Sequence, residues 1–82
     1  MTVRVRLFAS LREAASAEYV EVDATTAAAL VGELTERYGE PMTSRLRLAT
    51  LLVDGDTVPK TDTEVDLSQA TEVVLLPPFA GG

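Results

Sequence analysis

Residues 71–82 read TEVVLLPPFAGG. Val73, Val74, Leu75 and Leu76 are apolar without a break, and the run is too short for an ordinary helix, so residues 72–76 form a strand. A strand that is apolar on both faces sits in the middle of a sheet, buried on two sides. Pro77 and Pro78 end it. Neither has an N–H for a ladder, and two prolines in a row hold the chain extended as it leaves the sheet. Phe79, Ala80, Gly81 and Gly82 follow. The two glycines have no side chains, so this end fits a narrow channel and can turn sharply within it.

The upstream segments supply the neighbours of that strand. Residues 50–53 read as a strand, and Asp54-Gly55 as a hairpin turn leading to a short return at Thr57 and Val58. Pro59 confines the return to a sheet edge. Residues 60–71 are polar and turn-rich, with Leu67 as their anchor. In residues 41–48, Met42, Leu46 and Leu48 pin either a loop or a single helical turn to the core. A longer helix precedes them, capped by Thr25 or Thr26. Its apolar stripe is Ala27, Leu30, Val31, Leu34 and Tyr38, with Glu33, Glu36 and Arg37 on the far side. Gly39 closes it and Pro41 prevents a restart.

At the other end of the chain, Val3, Val5 and Leu7 alternate with Arg4, Arg6 and Phe8, a strand with the first set inward. Ser10-Leu11-Arg12-Glu13 has the form of a capping box and starts a short helix. Residues 18–23 alternate again, with Val20 and Val22 inward and Tyr19 outward, as a second strand antiparallel to the first. The element order is ββαβββ with helical turns in the joins, an α+β arrangement. One long helix covers one face of the sheet only. On the other face Phe8, Val74 and Leu76 form an exposed apolar patch, of the kind that meets a partner protein, unless loops cover it.

Composition narrows the function classes. The 82 residues are 46% hydrophobic and 24% charged, which suits one folded domain. Neither cysteine nor histidine is present. Disulfides, thiolate nucleophiles, the commonest metal ligands and the commonest general base are therefore missing, so a self-sufficient enzyme is a poor fit. A net charge of -6 argues against nucleic acid as a partner. No apolar stretch approaches the ~18 residues of a membrane span, and no signal peptide precedes the first strand, so the expected compartment is the cytoplasm. Asp54, Asp56, Asp62, Glu64 and Asp66 cluster in sequence without the spacing of a calcium loop and read as solvated loop residues. No metal site is expected.

Three stretches carry a resemblance. LFASLREAA at residues 7–15, VDG at 53–55 and the closing EV-x-LLPP-xx-GG at 72–82 resemble the small, sulfur-carrying subunit of molybdopterin synthase, in the MoaD/ThiS-like, ubiquitin-related family. The resemblance implies a ubiquitin-like β-grasp fold. That is a mixed four- to five-stranded sheet with one long helix on one face, a domain over residues 1–77, and a flexible extended tail over 78–82. It also implies sulfur carriage on the C-terminal carboxylate of Gly82. An adenylyltransferase of the ubiquitin-activating type would adenylate Gly82 with ATP, and a persulfide donor would convert it to a thiocarboxylate. That sulfur would go to a cyclic pyranopterin precursor to build the dithiolene of molybdopterin, in molybdenum cofactor biosynthesis.

On this reading the chain is a non-catalytic carrier subunit of a sulfurtransferase and binds no cofactor itself. The catalytic side chains belong to the large subunit of molybdopterin synthase. Pro78, Phe79, Ala80 and Gly81 are the residues that enter a partner's channel. Phe8, Val74 and Leu76 form the docking face. Arg12, in the LREAA turn, either contacts a partner's carboxylate or is an ordinary exposed arginine. Three alternatives share these residues: a carrier for thiamine, cysteine or tungsten-cofactor synthesis; a ubiquitin-like modifier joined through Gly82 to lysines of other proteins; and an interaction module with an inert tail.

Overall fold

A computed structural model describes residues 2–78. In chain order the elements are β1 (Val3–Leu7), α1 (Ala9–Ala15), β2 (Tyr19–Val22), α2 (Ala27–Tyr38), α3 (Met42–Leu48), β3 (Thr50–Val53), β4 (Asp56–Val58), a 3-10 turn (Leu67–Gln69) and β5 (Val73–Leu76). The sheet order is β2-β1-β5-β3-β4. The apolar strand β5 is thus central, as its composition demands. It runs parallel to β1, with Val5 opposite Val73 and Leu7 opposite Leu75. It runs antiparallel to β3, with Leu51 opposite Leu75 and Thr50 opposite Leu76. β2 pairs antiparallel with β1, and β4 with β3.

The period-two alternation places Val5, Leu7, Val22, Leu51 and Leu75 on one face, where each is essentially inaccessible to water. Leu11, Leu30, Leu34, Met42 and Leu46 from the three helices meet them there, and Leu67 closes the core from the long loop. Thr26 caps α2 by accepting from the Ala29 N–H at 3.3 Å. The loop is tied across that same end, with the Ala28 N–H donating to the Asp62 carbonyl and the Leu67 N–H to the Thr25 carbonyl. Asp54 and Gly55 both adopt positive φ, 50° and 87°, which is the tight hairpin the sequence called for. No helix among the described residues is long and apolar enough to cross a membrane.

Several local expectations need correction. Among the described residues three helices cover the sheet where one long helix was expected to: the short helix expected after β1 joins α2, and residues 42–48 form a seven-residue helix where a loop or a single turn was expected. Ser10 does not cap α1. The β1–β5 pairing continues through the Phe8 N–H to the Leu75 carbonyl, so Phe8 is extended and occupies the N-cap position without a side-chain cap. The helix has therefore begun before Ser10, which lies inside its first turn. Pro41 does not prevent a restart either. It stands at the N-cap of α3, where a missing N–H costs nothing. Within α3, Met42 and Leu46 lie one turn apart and are buried, while Leu48 falls off that stripe and is 67% exposed.

The acidic loop residues are more than solvated charges. Asp54 Oδ1 accepts from the Thr71 and Glu72 N–H groups, both at 2.8 Å, and so fastens the hairpin to the segment that leads into β5. Asp62 holds the N–H groups of Glu64 and Val65. Asp66 holds the N–H and hydroxyl of Ser68, and these two bonds set its carboxyl below the usual value. Each carboxylate satisfies backbone donors in a segment with little other secondary structure.

Candidate functional site

The helix-free face of the sheet carries the side chains that alternate away from the core. Arg4 and Arg6 come from β1, Tyr19 from β2, Val74 and Leu76 from β5, and Leu52 from β3, with Phe8 continuing the β1 series into α1. The register sets Val74 between Arg6 and Leu52. Val74 is only 7% exposed although no helix covers it. Part of that cover is cationic and aromatic. The Arg6 guanidinium lies 4.7 Å from the centre of the Phe8 ring and 5.7 Å from that of Tyr19, and Arg4 lies 4.1 Å above Tyr19. Glu18 fixes Arg6 in place, accepting from both Nε and Nη2 at 2.9 Å. The result is a ladder of alternating rings and guanidinium groups, whose stems shield the apolar centre while their charged heads stay wet.

The structure brings three of the proposed interface residues together. Phe8 and Leu76 are half-buried at the end of the sheet from which the chain leaves, and Val74 is the floor between them. The patch is narrower than its composition suggested, since Val74 offers almost no surface of its own. Arg12 does not join this face. It is exposed on α1, and among the described residues its guanidinium has no hydrogen-bond or ion-pair partner. Pro77 is half-buried and Pro78 exposed, directly after β5. Phe79, Ala80, Gly81 and Gly82 lie outside the described residues.

Alternation along one strand does not reveal a second group of residues at this end. Because Thr50 pairs with Leu76, α3 ends two residues from the strand end beside which the tail departs. Leu48, the last residue of α3, therefore flanks the exit on one side, while Phe8 and the start of α1 flank it on the other. Arg45 joins the two helices by donating to the Ser10 carbonyl at 2.6 Å. The signal available in the sequence was the 42/46 spacing, which leaves residue 48 off the buried stripe.

Comparison with known proteins agrees with this geometry. Residues 5–82 match the ThiS family. No curated protein matches the chain at a significant level. Among solved structures, the chain is similar to small archaeal modifier protein 1 (SAMP1) from Haloferax volcanii, with 22% identity, a TM-score of 0.68 and full coverage of both chains. It is equally similar to a chain of the complex of subunits 1 and 2 of molybdopterin-converting factor from Helicobacter pylori, at 24% identity and a TM-score of 0.69, again with both chains fully covered. CysO from Mycobacterium tuberculosis follows at 18% identity and a TM-score of 0.65, over 94% of this chain and 99% of that one. At these identities the likeness is one of fold, and the fold is the ubiquitin-like β-grasp.

Proposed function

The chain belongs to the ThiS family, and from that premise we propose that it is a sulfur carrier whose reacting atom is the carboxyl carbon of Gly82. The observation that carries this reading is the placement of the exit. The central strand runs straight into Pro77-Pro78 at the rim of the sheet, beside a half-buried apolar patch and away from the packed core. Residues 78–82 can extend about 15–18 Å from that rim, enough to bring the last carbonyl into another protein's pocket.

A carboxylate is a poor electrophile. Attack of a Gly82 oxygen on the α-phosphorus of ATP expels pyrophosphate and leaves an acyl adenylate. A persulfide sulfur then attacks the carbonyl carbon and AMP leaves. The new bond is C–S; thiol cleavage of the S–S bond that the persulfide brought then gives the thiocarboxylate, with the thiol and the donor sulfur leaving together as a disulfide. No side chain of the carrier takes part, which fits a chain without cysteine or histidine. The acid–base groups belong to its partners, an adenylyltransferase of the ubiquitin-activating type and the subunit that accepts the sulfur.

For the acceptor we favour the large subunit of molybdopterin synthase, and so molybdopterin synthesis. In support, the Helicobacter pylori neighbour is itself a two-subunit complex of molybdopterin-converting factor. The likeness to SAMP1 keeps a second reading in play, that of a modifier joined through Gly82 to lysines of other proteins. Intact-mass measurement after co-production with an activating enzyme and a sulfur source tests both. Replacement of one oxygen by sulfur is the expected result. Conjugates that survive denaturation, with no sulfur-loaded species, would favour the modifier. A chain lacking Gly82 should load no sulfur and melt at nearly the same temperature; loading by that chain would put the reacting atom elsewhere.

A further inference from the structure

An activated Gly82 is an acylating agent, and it is tethered to a protein surface. The amines on that surface are its nearest competing acceptors. Of the seven basic residues in the chain, six are arginine, and Lys60 is the one lysine. A guanidinium stays protonated at any working pH and does not attack carbonyls, whereas a free ammonium needs only to lose a proton to do so. Arg12 lies on α1, which starts beside the end of β5; Arg45 is tied to the Ser10 carbonyl, and Arg47 lines the same groove as Lys60.

Lys60 is also engaged. Its Nζ donates to the Leu46 carbonyl at 2.6 Å and to the Arg47 carbonyl at 2.8 Å. These carbonyls lie in the last turn of α3, where the helix has no N–H of its own to offer them. The side chain is half-buried along a groove of about 270 Å³ between α2 and α3, lined by Val31, Thr43 and Leu46. Burial moves the Lys60 pKa below its usual value, which enlarges the neutral fraction. The two carbonyl bonds act the other way: they favour the protonated form and direct its N–H groups at the helix end, so the nitrogen has no lone pair free to attack.

We propose that the chain is built as an acyl donor whose side chains do not serve as acyl acceptors, because its single lysine is engaged as the C-terminal cap of α3 and arginine supplies every other basic side chain. This rests on Gly82 being the activated group. It means that the loaded end passes to sulfur, or to an amine on a different protein, but is not linked to a side chain of its own copy or of a second copy. In the excluded step the amine nitrogen would bond to the Gly82 carbonyl carbon, the leaving group would depart with the electron pair, and the nitrogen would release a proton.

The test supplies the activation chemically, so that its failure is separate from failure of enzymatic sulfur loading. A Gly82 thioester of mercaptoethanesulfonate is made on the chain with its α-amine acetylated, and held at neutral pH. Isopeptide products are mapped by mass spectrometry. The wild type is expected to hydrolyse to the free carboxylate. Arg12→Lys, which places an uncommitted amine on the exposed face of α1, should acylate itself at least about ten-fold faster than Lys60 is acylated. Lys60→Arg keeps the cation and is the blank. Acylation of Lys60 at the rate of the introduced lysine would overturn the proposal. So would an introduced lysine that reacts no faster than Lys60, since placement would then not govern the reaction.

Discussion

The two faces of this sheet are cut from the same strands and stabilised by different means. On the covered face, Val5, Leu7, Leu51 and Leu75 are shut off from water by three helices and an anchored loop. On the open face, the apolar centre at Val74 is 7% exposed with no element above it. Two arginines, two rings and the flanking Leu52 frame it instead. The covered face is finished, because nothing can be added to it. The open face is serviceable in water yet displaceable, since long cationic side chains can swing aside when a partner's apolar surface arrives. The contrast assigns stability to the covered face and leaves the open face as the candidate surface for recognition.

The largest expected effect breaks the covered face. Leu75→Ala leaves a cavity where strand and helices meet, and should cost about 2–5 kcal/mol of unfolding free energy, read from denaturant titration. For a domain of this size that is a large share of the total stability. Its immediate neighbour gives the contrasting case. Leu76→Ala, or Phe8→Ala, should leave the fold intact and weaken association with the proposed partner subunit by about 1–3 kcal/mol, measured by calorimetric titration. If Leu76→Ala unfolds the domain as Leu75→Ala does, the two faces are not divided in this way.

Much of this division was legible in the sequence. A four-residue apolar run before two prolines could only be a central strand, and the alternation 3-5-7 against 4-6-8 assigned the faces correctly. The Asp54-Gly55 hairpin and the α2 stripe were equally plain, because turn chemistry and helical period are local. What escaped was set by pairing between distant segments. Ser10 looks like a cap until the Phe8–Leu75 bond moves the start of α1 upstream. Pro41 looks like a stop until α3 is seen to begin on it. The shielding of Val74 depends on Arg6 and Tyr19 lying on adjacent strands, which single-strand alternation cannot express. Of the candidate site, the sequence identified Phe8, Val74 and Leu76 as one patch, but not Leu48 at the end of α3.

A smaller effect sharpens the account of the open face. Arg6 is held by Glu18 with both side chains more than a third exposed, so the ion pair itself is worth little. Its stacking on Phe8 and Tyr19 carries more. Arg6→Ala should lower stability by about 0.5–1 kcal/mol and increase the binding of a hydrophobic fluorescent dye, because the centre at Val74 loses its cover. Arg6→Lys keeps the charge but not the planar stack, and should fall between. A lysine variant equal to wild type would show that charge alone, not stacking, maintains this face.

The smallest effect distinguishes the faces by acid. The helical layer leans on exposed carboxylates that accept from serines, whereas the carboxylate of the open face, Glu18, accepts from Arg6. Glu40 accepts from the Ser44 hydroxyl at 2.8 Å and its N–H at 3.2 Å in the first turn of α3, and Asp66 does the same for Ser68 at the 3-10 turn. Those bonds favour the charged form, and both carboxyls sit below their usual values of 4.5 and 3.8. A carboxylate with a depressed folded pKa contributes stability that is present above its unfolded pKa. It is lost as pH falls through the folded pKa, when the carboxyl gains its proton. Wild type and a Glu40→Gln, Asp66→Asn double variant should therefore converge in melting temperature as pH is lowered below about 4, and separate again above it. Neither carboxylate touches the ladder of Arg4, Tyr19, Arg6 and Phe8, so dye binding by the folded wild type and the double variant should be the same at every pH. Parallel melting curves for the two proteins across the whole range would mean that these serine-bound carboxylates contribute nothing to the covered side.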